Sequence, residues 1–171
     1  MTMEKPNLTA ANHLTFPNEV TDSTNLSSIY RLTAVNFRLS AETLNATLEM
    51  KPNGTPAKLT AIPLYFLASH AAELFLKSAL LKRGFTEDAL KQYDYRHNLN
   101  SLLLALQDTG VSVTPDTVNL INGLHAQHKA HALRYSALID DGQRTFLPPP
   151  SQLFLMLDEL LLLTRISTQG V

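Results

Sequence analysis

Between residues 59 and 83, Leu64, Leu67, Ala71, Leu74, Ser78 and Leu81 recur at alternating steps of three and four. That spacing draws a stripe along one face of an α-helix, and such a stripe is stable only when packed against neighbouring helices. The rest of the chain repeats the pattern. Residues 25–50 carry Ile29, Leu32, Val35, Leu39 and Leu44 at helical spacing, behind possible N-caps at Asp22, Ser23 and Thr24. The turn-forming run Lys51-Pro52-Asn53-Gly54-Thr55-Pro56 ends that segment. Residues 97–107 place Leu99, Leu102, Leu103 and Leu106 on one face. Thr114-Pro115-Asp116 combines a cap, a proline at the first helical position and an acid at the positive end of the dipole, so a helix is expected over 114–139. Gly84 and Gly110 suit helix C-termini, and Asp140-Asp141-Gly142 breaks the fourth helix.

After Pro148-Pro149-Pro150, residues 151–166 contain Leu153, Phe154, Leu155, Leu157 and Leu160 to Leu163. A helix apolar on most faces is expected at the centre of a bundle or at a dimer contact. In the link 85–96, Thr86-Glu87-Asp88 offers one short helical turn. No segment alternates in the manner of a strand. The fold class expected is therefore all-α: an up-and-down bundle of about five helices, with residues 22–168 forming one domain. Residues 1–21, rich in Thr, Asn and Pro, read as a loose arm.

A length of 171 residues suits a single domain. Charged residues make up 17% of the chain, against about 25% in ordinary globular proteins, so part of the surface is expected to be covered by another subunit. The formal net charge of −1 supplies no global positive field, which argues against tight nonspecific nucleic-acid binding. There is no cysteine, which excludes disulfides, cysteine-ligated zinc and thiol nucleophiles, and fits a reducing compartment. The first twelve residues are polar, with no apolar core of a secretory leader, and no uninterrupted apolar run approaches the roughly 18 residues of a membrane helix. A cytoplasmic location with no membrane association is expected. The dinucleotide, P-loop, nucleophile-elbow and zinc-protease motifs do not occur, and no cofactor is expected.

Polar residues in apolar positions carry what chemistry there is. His125, His128 and His131 lie three apart and cover roughly 120° of one helix. The core stripe of that helix runs Ile121, Leu124, His128, His131, Tyr135 and Leu138, so two histidines occupy positions where apolar residues are expected, while His125 falls off the stripe and is expected to be exposed. Either hydrogen bonds satisfy His128 and His131, or the two bind a ligand or metal. On the helix over 59–83, His70, Glu73 and Lys77 share a stripe beside the apolar one. This is either a plain Glu–Lys pair at i, i+4, or a polar layer with Glu73 against the histidines of the fourth helix. A metal set of His70, Glu73, His128 and His131 is an alternative. His97 is expected to close a helix start and pack near the second helix. Arg134 and Tyr135 form a structural pair or line a cleft that reads phosphate or carboxylate.

Three of these segments resemble the HEPN superfamily, the "higher eukaryotes and prokaryotes nucleotide-binding" helical bundles. The first is Ala71-Ala72-Glu73-Leu74-Phe75-Leu76-Lys77-Ser78-Ala79-Leu80-Leu81-Lys82-Arg83-Gly84, similar to that family's second helix. Next come His97-Asn98-Leu99 with Leu102-Leu103, and then Leu133-Arg134-Tyr135. The resemblance covers residues 59–135. It implies a four- or five-helix bundle, commonly dimeric. Many members are RNA-cleaving toxins, and others are non-catalytic partners of small nucleotidyltransferases or binding modules.

The nuclease members carry an Arg, then four to six residues, then a His. None of Arg31, Arg38, Arg83, Arg96, Arg134, Arg144 or Arg165 has a His at that distance. The resemblance therefore implies a binding or scaffold module, either a homodimer or a partner of a nucleotidyltransferase, without nuclease activity. Its ligand would be RNA or a nucleotide, with Glu73, Lys77, His97, His128, His131, Arg134 and Tyr135 as the ligand-facing residues. A degenerate RNase using His128, His131 and Arg134 is the alternative catalytic reading.

Overall fold

The computed structural model describes residues 23–58, 61–129 and 147–165. The described residues form six α-helices and no strand: α1 (Ser23–Asn45), α2 (Ile62–Leu81), α3 (Glu87–Lys91), α4 (Leu99–Asp108), α5 (Pro115–Lys129) and α6 (Pro150–Leu163). The all-α bundle expected from the spacing is the fold. The sixth helix is the short turn at Thr86, whose side chain accepts the Ala89 N–H at 3.2 Å. The expected arm and the end of the fourth helix beyond residue 129 lie outside the described residues.

The centre of the bundle is α2. Every residue from Ala71 to Leu81 is buried, where the sequence stripe implied one buried face. The apolar residues filling the other faces, Ala72, Phe75, Leu76, Ala79 and Leu80, make α2 a core helix packed on all sides. By length and composition α2, with a mean hydropathy of 1.2, could also cross a membrane; 83% of that window is buried by the rest of the bundle. Glu73 and Lys77, which interrupt its apolar run, are buried with it.

Against α2 packs α1, through small residues. Ser27, Ala34 and Ala41, seven apart, are completely buried. Of the expected stripe of large residues, Val35 and Leu44 pack against the core, but Ile29, Leu32 and Leu39 are exposed. The reason is close approach. The Ser27 and Ser78 hydroxyls lie 3.1 Å apart, and each donates to the other's backbone carbonyl, at 2.9 and 2.8 Å. Ser27 stands near the start of α1 and Ser78 near the end of α2, so the helices run antiparallel. The same register, one heptad on, sets Ala34 opposite Ala71. Beyond Asn45, where the helix was expected to reach residue 50, the chain turns instead. Gly54 adopts φ +76°, Lys51 N–H donates to Thr55 at 2.8 Å, and Met50 pairs with Pro56.

The helix ends follow the sequence signals. Gly84 (φ +89°) and Gly110 (φ +86°) adopt the left-handed conformation that ends α2 and α4. Asn98 caps α4 by accepting the Ser101 N–H at 3.1 Å. At the start of α5 the cap is shared. Thr114 Oγ1 accepts the Thr117 N–H, while Glu159 of α6 accepts from Thr114 N, Thr114 Oγ1 and Thr117 Oγ1 at 2.7, 2.6 and 2.5 Å. On α6, Leu153, Met156, Leu157, Leu160 and Leu163 are buried, whereas Leu155 and Leu162 face outward, so α6 is peripheral and not central. Tyr65 of α2 holds the approach to α6 by donating its hydroxyl to Pro148 O at 2.8 Å. Burial raises the pKa of that phenol to about 12. Arg38 of α1 pairs with Asp158 of α6 at 2.8 Å.

Partial burial opposes ionisation of Glu159, but the bonds from Thr114 and Thr117 outweigh it and hold the carboxyl below its ordinary value of 4.5. A depressed carboxyl pKa stabilises the fold fully above about 4.5 and progressively less as pH falls below it. Replacing Glu159 with Gln is therefore expected to cost about 1 kcal/mol near neutral pH, the usual worth of a cap. Urea unfolding of wild type and Glu159→Gln should show that gap narrowing at about pH 3.5.

Candidate functional site

Midway along α2, Glu73 is 2% exposed, and a bare carboxylate at such a depth would be prohibitively unstable. Three elements supply its partners. From the same helix, one turn on, Lys77 Nζ donates to Glu73 Oε1 at 2.7 Å. From α5, His128 Nε2 lies 2.7 Å from Glu73 Oε2. From the turn ahead of α4, His97 Nδ1 lies 3.1 Å from the same oxygen. Because the carboxylate can only accept, the ring protons facing it sit on His128 Nε2 and His97 Nδ1. The two rings meet edge to face, 6.1 Å between centroids.

Local sequence explains each placement. The Glu–Lys spacing of four stacks Glu73 and Lys77 on one helix face. His128 continues the buried line of Ile121 and Leu124 on α5. His97 arrives by an unusual backbone: at φ +56° it is the one residue other than glycine in the left-handed region among those described. Histidine enters that region more readily than most residues, but a non-glycine there is retained only when its surroundings hold it. On one side the Glu73 carboxylate holds it, and on the other Asn98 opens α4. His97 is also the ring with a route to water, with a side chain 25% exposed against 3% for His128.

The electrostatic outcome is clear in direction. Burial by itself would raise the Glu73 pKa. The bond from His128 opposes this, as do the charge and bond of Lys77 and the bond from His97, and together they hold the carboxyl far below its ordinary value. The cluster therefore keeps an ionised carboxylate inside the bundle. Beyond Lys77 lies Glu87, which takes a bond from Lys91 at 2.8 Å and one from the Tyr30 hydroxyl at 3.2 Å. Burial and the Glu87 charge raise the Tyr30 pKa to about 12.

Of the residues singled out from the sequence, the structure brings together Glu73, Lys77, His97 and His128. His70 stays at the rim. Its Nδ1 is 3.9 Å from Glu73 Oε2, beyond hydrogen-bond distance, and its ring packs edge-on against Phe37 and parallel to Phe66. His125 is half-buried rather than exposed. His131, Arg134 and Tyr135 lie outside the described residues, so the RNA-cleaving set and the four-ligand metal set are each described only in part. Comparison with known proteins yields no matching family model, no matching curated protein and no matching solved structure. The case for function thus rests on the chain's own residues. His97 was expected to pack near the second helix, and it does so through Glu73, 24 positions away, by way of the turn into α4.

Buried ion pairs seldom add net stability, and well-packed apolar groups of the same volume often do as well or better. Removing one member is different, because it strands the others. Glu73→Ala would leave a buried ammonium and two imidazoles without their acceptor. It is expected to cost about 3–5 kcal/mol, read as a lowered urea midpoint. A loss below about 1 kcal/mol would mean that water takes over the role of the carboxylate.

Proposed function

We propose that the chain is a HEPN-like helical binding module that assembles through α6, as a homodimer or beside a nucleotidyltransferase-type partner, and has no nuclease activity of its own. The observation that carries this reading is the outer face of α6. Leu155 is 70% exposed and Leu162 is 56% exposed, on a helix whose opposite face is fully packed. Scattered surface leucines are ordinary, but two of them seven apart share one helix face, as a helix-on-helix contact requires. Leu155 also borders a cleft of about 550 Å³ between α5 and α6, shared with Leu120 and Met156, which would seat an apolar side chain of a partner.

The low charge content supports a covered face, and the lack of an Arg separated by four to six residues from a following His supports a non-nuclease role. A ligand of the nucleotide or RNA class would meet the open side of the Glu73 cluster, where His97 reaches water. Size-exclusion chromatography with light scattering tests the assembly. Wild type is expected at twice the chain mass, and Leu155→Glu and Leu162→Glu at the mass of one chain. Unchanged dimers in both variants would remove α6 from the interface. A monomeric wild type would sink the homodimer and leave the partner arm, to be tested by co-purification from the native host with wild type and both variants.

A further inference from the structure

Glu73, His97 and His128 also satisfy the requirements of a cation site. Glu73 Oε2, His97 Nδ1 and His128 Nε2 all lie within 4.8 Å of one another, and each is a good ligand atom. We propose that these three side chains bind a divalent transition metal of the zinc class, with a fourth position left for water or an anionic oxygen.

The donor set selects the metal. Two imidazoles and one carboxylate suit zinc and its neighbours better than calcium or magnesium, which favour all-oxygen shells. Three protein ligands with one open position is the arrangement of reactive zinc sites, whereas closed structural sites use four. The present separations, 2.7 and 3.1 Å from the shared oxygen, are those of hydrogen bonds. A tetrahedral ion with bonds of about 2.0–2.2 Å needs its ligands slightly farther apart. Small movements of the two rings provide that, while both lose the protons they now direct at Glu73.

The surroundings fit the same role. Lys77 holds Oε1 at 2.7 Å, which leaves Oε2 facing the imidazoles, the orienting function that outer groups perform around metal ligands. Because Lys77 offsets the charge of Glu73, the ion would bring uncompensated positive charge, and an anion or hydroxide at the fourth position relieves it. Access runs past His97, whose ring is partly exposed, while Glu73 and His128 form the closed back of the site. The left-handed backbone of His97 now has a second explanation. A strained residue held beside two buried ligands is a frequent sign of a functional site. The ligands come from α2, the turn before α4, and α5, so a bound ion would join three parts of the bundle.

The test is a titration of the chelator-treated full-length protein with Zn²⁺, followed by calorimetry, and with Co²⁺, followed by its visible spectrum. Expected are one metal per chain, a tetrahedral Co²⁺ band and a rise in melting temperature on metal addition. His97→Ala, at a partly exposed turn position, should weaken binding by at least about tenfold and abolish the band. His128→Ala should do the same, and circular dichroism of the metal-free variants checks that both fold. Wild-type uptake below about one metal in ten chains overturns the proposal. So does unchanged affinity in both variants, which would place the metal on other histidines. The Co²⁺ spectrum of wild type decides independently of any variant, since an octahedral spectrum excludes the proposed geometry.

Discussion

A carboxylate buried at the middle of the central helix governs the arrangement of this bundle. Glu73 accepts from Lys77 on α2, His97 ahead of α4 and His128 on α5, and together these bonds make the buried charge tolerable. Apolar packing alone is forgiving about how helices slide and rotate against one another. A hydrogen bond is not, because its energy falls steeply with distance and angle. The cluster therefore selects one rotation of α5 and one conformation of the turn into α4 from the many that would bury similar apolar area.

Around that cluster the helices are held by two further kinds of contact. One is close approach through small side chains, where α1 meets α2 at Ser27 and Ala34. The other is polar clasping between elements: Glu159 across the start of α5, Tyr65 on the approach to α6, and Arg38 with Asp158 between α1 and α6. Each clasp connects segments far apart in sequence, and each uses a partner that is polar but short of full exposure. A chain with few charged residues places several of them at joints between elements.

Much of the fold was legible in the sequence, and particular residues show why. The steps of three and four, the glycines at 84 and 110, and the Thr114-Pro115-Asp116 start are local signals, and local signals survive into the structure. What the sequence hid was which face packs. Ile29, Leu32 and Leu39 look like a core stripe until it is known that α2 is too close for them, and that closeness is set by Ser78 and Ala71 on a different helix. The same holds at the site. His128 stood out because a polar residue interrupted an apolar line, and Glu73 because a buried-looking helix carried an acid. His97 stood out only as a residue expected near the second helix; its exact contact with Glu73 was hidden, since it depends on a single left-handed residue in a turn. Of the two places expected for the last helix, the centre of the bundle is not where it lies, because apolar content does not by itself mean depth. The deeper helix, α2, carries two charged residues in its core-facing surface.

The alanine and serine contact between α1 and α2 has a consequence for how this chain can change over evolutionary time. Hydrophobicity is usually the property that mutation must preserve in a helix, but on α1 it is the wrong guide. At 29, 32 and 39 the side chains are roughly half exposed, and those positions can drift to polar residues with little effect on the bundle. At 34 a side chain only slightly larger would wedge α1 away from α2, although it would look conservative on any hydropathy scale. Where α1 meets α2 most closely, therefore, the smallest side chains are among the least replaceable, alongside larger core contacts of α1 such as Tyr30 and Phe37.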